Sequence, residues 1–246
     1  MTYQVILTRL FEQNADFQSQ LNLPDVNVVS KPLLTYCPIS IEGTAAQRVI
    51  DLNLYDALIF ISQNAVRYGL PHLQSYWPQW PHSLLWFAVG PATRRLMETE
   101  DIKVYSPKLA SSEGLLELSE LRDAQIQKVL IVRGLGGRET LREGLVARGV
   151  KVDYLEVYQR KGRVYDGNFN GRHPGKFITL IYSGEALSRL RQLVGETVGR
   201  YRLIVPSKRL QTMAFDKGFD KVELAGSQND SAMLAVLRKC LARYKE

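Results

Sequence analysis

Residues 129–150 read "VLIVRGLGGRETLREGLVARGV", and they set the class of fold. Lys128 to Val132 form an apolar, β-branched run that ends at Arg133. Gly134, Gly136 and Gly137 follow, and a helical pattern begins at Arg138 and runs to Arg148. A strand apolar on both faces belongs between two layers of helix. The loop after it reads in two ways, as a phosphate cradle for a nucleotide or as a seat for another anion. The nucleotide motifs fail residue by residue. No Lys-Ser or Lys-Thr follows the glycines, as a P-loop needs, and a dinucleotide fingerprint counted from Gly134 meets Glu139 where its third glycine belongs.

The same alternation extends along the chain. Apolar runs at 4–8, 56–62, 84–90, 178–183 and 201–207 precede helical patterns at 92–99, 112–121, 184–194, 210–218 and 231–244. Such alternation specifies a parallel, doubly wound α/β sheet. The pieces also repeat. "VILTR" matches "LIVR" and aligns Arg9 with Arg133, while "LIFISQNAVRYGL" matches "TLIYSGEALSRL" and aligns Ser62 with Ser183. "FAVGPATRRLMETEDIKVY" matches "LIVPSKRLQTMAFDKGFDKVEL". Each half therefore carries one A block followed by one B block. Extended runs at 28–39, broken by Pro32 and Pro38, and at 152–165 follow the two A blocks. Proline does not suit a central strand, so these runs are expected to cross between lobes. The expected division is a discontinuous first lobe of 1–31 with 163–246 and a second lobe of 40–157. Residues 32–39 and 158–162 are the linker strands. A cleft at the carboxyl ends of the strands is the expected ligand site.

Composition narrows the function. The chain has 246 residues, a formal charge of +7 and a pI of about 9.4. The excess is spread out, with no charge run of the kind that forms a nucleic-acid tail, so no nucleic-acid partner is expected. A basic surface still favours an anionic ligand. The longest apolar runs fall far short of the ~20 residues of a membrane helix, and no secretory signal is visible. Cys37 and Cys240 lie far apart and read as reduced thiols, which places the protein in the cytoplasm. His72, His82 and His173 stand alone and read as loop or surface residues, so no metal site is expected. Trp77, Trp80 and Trp86 read as local packing, and Arg94, Arg95, Arg189 and Arg191 as solvated helix faces. No G-x-S-x-G elbow is present.

The strand ends carry small polar residues. Ser62-Gln63-Asn64, Gly90-Pro91-Ala92-Thr93, Ser183-Gly184-Glu185 and Pro206-Ser207-Lys208-Arg209 all sit where helices begin. Ser, Thr and Asn there cap helices. Together they also gather helix N-termini, whose N–H groups and dipoles favour anions.

"LIFISQNAV", "FAVGPAT", "ASSEGLLEL", "VLIVRGLGGRETLREGLVARGVKVDYLEVYQR" and "YSGEAL…LIVPSKRLQTMAFDKGF" together resemble the uroporphyrinogen-III synthase family, in order and over nearly the whole chain. Tyr182-Ser183 departs from the Thr-Ser or Phe-Ser common in relatives. The resemblance implies two flavodoxin-like domains joined by a two-stranded linker, working as a monomer with no cofactor. It implies closure of the linear tetrapyrrole hydroxymethylbilane to uroporphyrinogen III, with loss of water and inversion of ring D. It places Tyr158 at the family's linker tyrosine, a candidate to assist departure of the hydroxyl; a phenol, with an ordinary pKa of about 10, suits a proton donor. The same tyrosine also reads as a packing residue. Substrate contacts implied are Ser62, Gln63, Asn64, Ser111, Ser112, Arg133, Gly134, Gly137, Ser183, Gly184 and Ser207, with Arg138 and Arg9 as further candidates. A cytosolic two-lobed binding protein for a small polyanion remains the alternative.

Overall fold

Every long apolar run of the sequence becomes a buried parallel strand. The computed structural model describes residues 3–21, 26–98, 102–166, 169 and 175–243. In chain order the elements are β1 (Tyr3–Leu7), α1 (Phe11–Leu21), β2 (Asn27–Ser30), β3 (Leu34–Pro38), α2 (Thr44–Ile50), β4 (Ala57–Phe60), α3 (Gln63–Tyr76), β5 (Leu85–Ala88), α4 (Pro91–Met97) and β6 (Val104–Tyr105). They continue with α5 (Ser112–Leu116), β7 (Lys128–Gly134), α6 (Thr140–Val146), β8 (Lys151–Gly162), β9 (Lys176–Leu180), α7 (Gly184–Val194), β10 (Tyr201–Val205), α8 (Lys208–Asp216), β11 (Lys221–Leu224) and α9 (Asp230–Ala242).

Contacts divide the chain into one unit of residues 1–35 with 161–246 and a second of residues 36–160. The first holds a five-stranded sheet in the order β11-β10-β9-β1-β2. The second holds β3-β8-β7-β4-β5-β6. With β3 set aside, the two orders correspond strand for strand: β1 and β2 match β7 and β8, and β9, β10 and β11 match β4, β5 and β6. Each sheet combines the two-strand block of one repeat with the three-strand block of the other. β1 pairs in parallel with β2 and β9, and β7 pairs in parallel with β4 and β8.

Successive side chains of a strand point to opposite faces, and the cores follow that period. In the first unit Ile6, Phe177, Tyr201 and Leu203 join α7 and α8 on one face. Val5, Leu7, Ile178, Leu180 and Ile204 meet α1 and α9 on the other. In the second, Leu58, Phe60, Leu130 and Val132 pack with α3, whereas Ala57, Ile59, Val129 and Ile131 pack with α5 and α6. Apolar burial on both faces is what selected runs without polar alternation.

Serine or asparagine caps five of the helices, whereas α2 and α4 start at Gly43 and Gly90 and α6 at Glu139 with no side-chain cap. Ser62, Ser111, Ser183, Ser207 and Asn229 each accept a backbone N–H of the first turn with their side chain. Each satisfies one of the donors a helix start leaves unpaired.

His72 is a surface residue, as expected, but it lies on a helix: α3 runs through Pro71 and His72, because Leu70 and Leu73 are buried in the core on either side and hold that turn. Trp77 then donates its Nε1–H to the Val49 carbonyl at 2.7 Å, and Trp80 lies edge-on to the buried Trp86. Arg189 and Arg191 are not simply solvated. Arg189 donates to the Arg163 carbonyl, and Arg191 donates to the carbonyls of Lys217 and Gly195. His173 and the helix ends expected at 99 and 244 lie outside the described residues.

Candidate active site

The glycine loop, the first turn of α3 and the end of β8 meet at the carboxyl end of the second sheet. β7 and β8 run in parallel register until Arg133 opposite Glu156; the next pair is Gly134 opposite Tyr158, so Val157 is an extra residue in β8. Such a bulge re-aims a side chain. It turns Tyr158 toward the same core that buries Val157. The phenol then lies beneath the start of α3, with its oxygen 3.1 Å from Ser62 Oγ. Ser62 Oγ in turn accepts the Ala65 N–H at 3.0 Å.

The ring of Tyr158 is held on several sides. Tyr36 meets it edge-on at 5.3 Å between centroids, and Tyr68 lies tilted at 5.7 Å. Gly134 backs it so closely that a Cβ there would meet the ring. The backbone N–H of Leu135 donates to the Tyr158 carbonyl at 2.8 Å. A cavity of about 200 Å³ opens beside the ring, lined by Tyr36, Ile61, Gly134, Leu135, Gly136, Gly137, Tyr158 and Arg160.

Arg133 supports this loop from within. Its side chain is 2% exposed. The guanidinium donates to the carbonyls of Gly134 and Gly136, pairs with Glu139 at 3.0 Å, and stacks on Tyr154 at 4.4 Å. In a trans peptide the C=O and the next N–H point in opposite directions. Drawing the Gly136 carbonyl to the guanidinium therefore turns the Gly137 N–H away from it. The φ angles of Gly136 and Gly137, 74° and 110°, lie in the left-handed region that suits glycine. Gly137 also stands where a Cβ would meet Arg133 Nη2 at 2.9 Å.

Glu139 and Tyr154 close the network. The Tyr154 hydroxyl donates to Glu139. That bond, and then Arg133, hold the Glu139 carboxyl below its ordinary range despite partial desolvation. Desolvation, followed by the same hydrogen bond, pushes the Tyr154 phenol up to about 12.

The structure brings together Ser62, Arg133, Gly134, Gly137 and Tyr158. Gln63 and Asn64 begin α3 beside Ser62, Gln63 exposed and Asn64 half-buried. Ser111 caps α5 and Ser112 opens it, outside the cavity's lining. Ser183 and Gly184 begin α7 and Ser207 caps α8, all in the first unit. Gly184 packs against Met213 of α8. Arg138 is exposed, whereas Arg9 pairs with Asp230 at 3.0 Å and stacks on Tyr182 at 4.5 Å. Sequence reasoning passed over Tyr36, Tyr68, Glu139, Tyr154 and Arg160. Tyr154 and Glu156 do alternate with buried Leu155 and Val157, which was a visible sign that one face of this strand is not core.

A doubly wound α/β protein with a glycine loop, a capped helix start and a buttressed phenol at one strand end has the features that suit a small anionic ligand. The family model described as uroporphyrinogen-III synthase HemD matches residues 16–235, and the chain belongs to the uroporphyrinogen-III synthase family. The chain is 33% identical to the uroporphyrinogen-III synthase of Salmonella typhimurium over 95% of its own length and 99% of that protein. It is 31% identical to the Escherichia coli synthase, over 84% and 88%. Its fold is similar to the crystal structure of uroporphyrinogen-III synthetase from Helicobacter pylori, with a TM-score of 0.62, 18% identity and coverage of 98% and 100%. Among the described residues no helix is long and apolar enough to cross a membrane, and no three His, Cys, Asp or Glu residues are grouped to hold a metal ion.

Proposed function

We propose that this chain closes hydroxymethylbilane to uroporphyrinogen III, as a lyase that expels water and inverts ring D in tetrapyrrole biosynthesis. The near full-length relationship to the Salmonella synthase carries this reading. Tyr158 is the proton donor to the departing hydroxyl, and the glycine loop receives an acetate or propionate arm on its outward N–H groups. Arg133 acts on that arm through the loop rather than by contact, since its guanidinium is occupied by two carbonyls and Glu139. The first turns of α3, α5, α7 and α8, with Gln63, Asn64, Ser111, Ser112, Ser183, Gly184 and Ser207, take further carboxylates. Little covalent chemistry is asked of the protein. Its task is to hold a reactive linear substrate in the conformation that inverts one ring, by fixed dipoles and position. The protein acts without a cofactor, as a monomer in the cytoplasm.

The test supplies hydroxymethylbilane to the purified chain, oxidises the products and separates the isomers. Isomer III in excess of the uncatalysed background is expected. Isomer I alone, at the uncatalysed rate, contradicts the proposal and returns the polyanion-binding alternative to first place.

A further inference from the structure

We infer that Ser62 is a positioning residue for Tyr158: its hydroxyl donates to the phenol oxygen, so that the phenol proton faces the cavity and the phenolate left by proton transfer is held. The inference rests on the reading of Tyr158 as proton donor. The two oxygens are 3.1 Å apart, and either could donate. The surroundings choose the direction. Ser62 Oγ already accepts the Ala65 N–H, at the start of a fourteen-residue helix. That bond polarises the hydroxyl toward donation, as in any chain of hydrogen bonds. Tyr158 lines the cavity, and Ser62 is not among the lining residues. Donation from Ser62 to Tyr158 thus leaves the phenol proton for the group in the cavity. Tyr36, Tyr68 and Gly134 hold the ring so that its oxygen stays within reach of Ser62.

The proton balance is closed. The carbon–oxygen bond of the hydroxymethyl group breaks with its electron pair on oxygen, which takes the Tyr158 proton and leaves as water. The pyrrole nitrogen supplies the pair that makes the azafulvene cation. The phenolate then accepts hydrogen bonding from Ser62 and faces the positive end of α3. Ring D first bonds through its substituted α-carbon, which carries no hydrogen, so the phenolate recovers a proton only at the final closure, when the unsubstituted α-carbon forms its bond and loses its own hydrogen to restore aromaticity. Ser62 itself neither gains nor loses a proton.

The test is a double-mutant cycle on the full chain, following isomer III from hydroxymethylbilane. Ser62→Gly removes the hydroxyl but keeps a residue well suited to an N-cap, and Ser62→Thr keeps the hydroxyl. Melting curves confirm that each variant is folded. Ser62→Gly is expected to lower kcat about tenfold with KM little changed, less than the loss of a general acid itself, and Ser62→Thr to recover most of the loss. In a Tyr158→Phe background Ser62→Gly should add nothing, because the partner it serves is gone. A Ser62→Gly loss that multiplies with an impaired Tyr158→Phe overturns the role of Ser62 alone and marks it as a separate substrate contact. Unchanged kcat in Ser62→Gly also overturns it. Normal turnover by Tyr158→Phe removes the donor itself, and this role with it.

Discussion

A Cβ on Gly134 would lie 2.5 Å from Cε2 of Tyr158 and 2.6 Å from its Cζ. The loop and the phenol are fitted to each other at that point, and the extra residue in β8 is what brings them there. Gly134→Ala must push the ring away from Ser62 or displace the loop. Overpacking of this kind costs about 1–3 kcal/mol. Displacing the proton donor should lower isomer III production about tenfold or more, and chemical denaturation should separately show the lost stability. Unchanged activity and midpoint would mean that the contact does not constrain the site.

Arg133 is buried as a loop brace, which predicts intolerance of lysine. An ammonium cannot reproduce a planar fork reaching two carbonyls and a carboxylate. Arg133→Lys leaves polar groups of the loop short of partners, at a cost of about 1–3 kcal/mol. It should lower kcat/KM and make the loop more open to limited proteolysis at Leu135–Arg138. A lysine variant with full activity and native resistance would show that charge alone suffices.

The pair Tyr154–Glu139 gives the loop a pH window. The folded carboxyl of Glu139 is held down, so its contribution is present above the unfolded value of about 4.3 and is lost as the pH falls through the folded value. The Tyr154 phenol is held up, so its contribution is present below the unfolded value of about 10 and is lost as the pH rises toward about 12. Unfolding midpoints of Tyr154→Phe across pH should show a smaller alkaline loss, the other buried tyrosines keeping their share, and those of Glu139→Gln a smaller acid loss. Curves parallel to that of the unsubstituted protein would remove this pair from the account.

The two thiols should differ in reactivity. Cys240 lies on the buried face of α9, and desolvation pushes its thiol up, whereas Cys37 is half-buried on β3. The thiolate is the reactive form. A disulfide-exchange reagent should titrate one thiol in the native state and the second only after denaturation. Rapid reaction of both would contradict the packing of α9.

Strand positions were legible because a doubly wound sheet buries both faces of its strands, and the run Val129–Val132 has no other use for four apolar residues. The repeat was legible too, and the matching sheet orders give it physical form. Short edge strands were not. Val104–Tyr105 has two residues and no period to read. Helix α3 was masked by Pro71, whose local signal is overridden by the burial of Leu70 and Leu73. At the site, Ser62 and the glycines announced themselves by residue type. The partners of Tyr158 did not, because the bulge breaks the alternation from which a face would be assigned, and Tyr36 lies in a segment that proline marks as irregular. Arg133 was expected to contact the ligand; its burial against the loop carbonyls and Glu139 was not readable from residue type alone.

The central claim is that the substrate reacts beside Tyr158, over the loop from Gly134 to Gly137. Backbone amide NMR of the labelled chain, with uroporphyrinogen III added without oxygen, tests it most directly. The account predicts the largest shifts at the amides of Leu135, Gly136 and Gly137 and in the first turn of α3. Saturable binding that leaves those amides unmoved would contradict it.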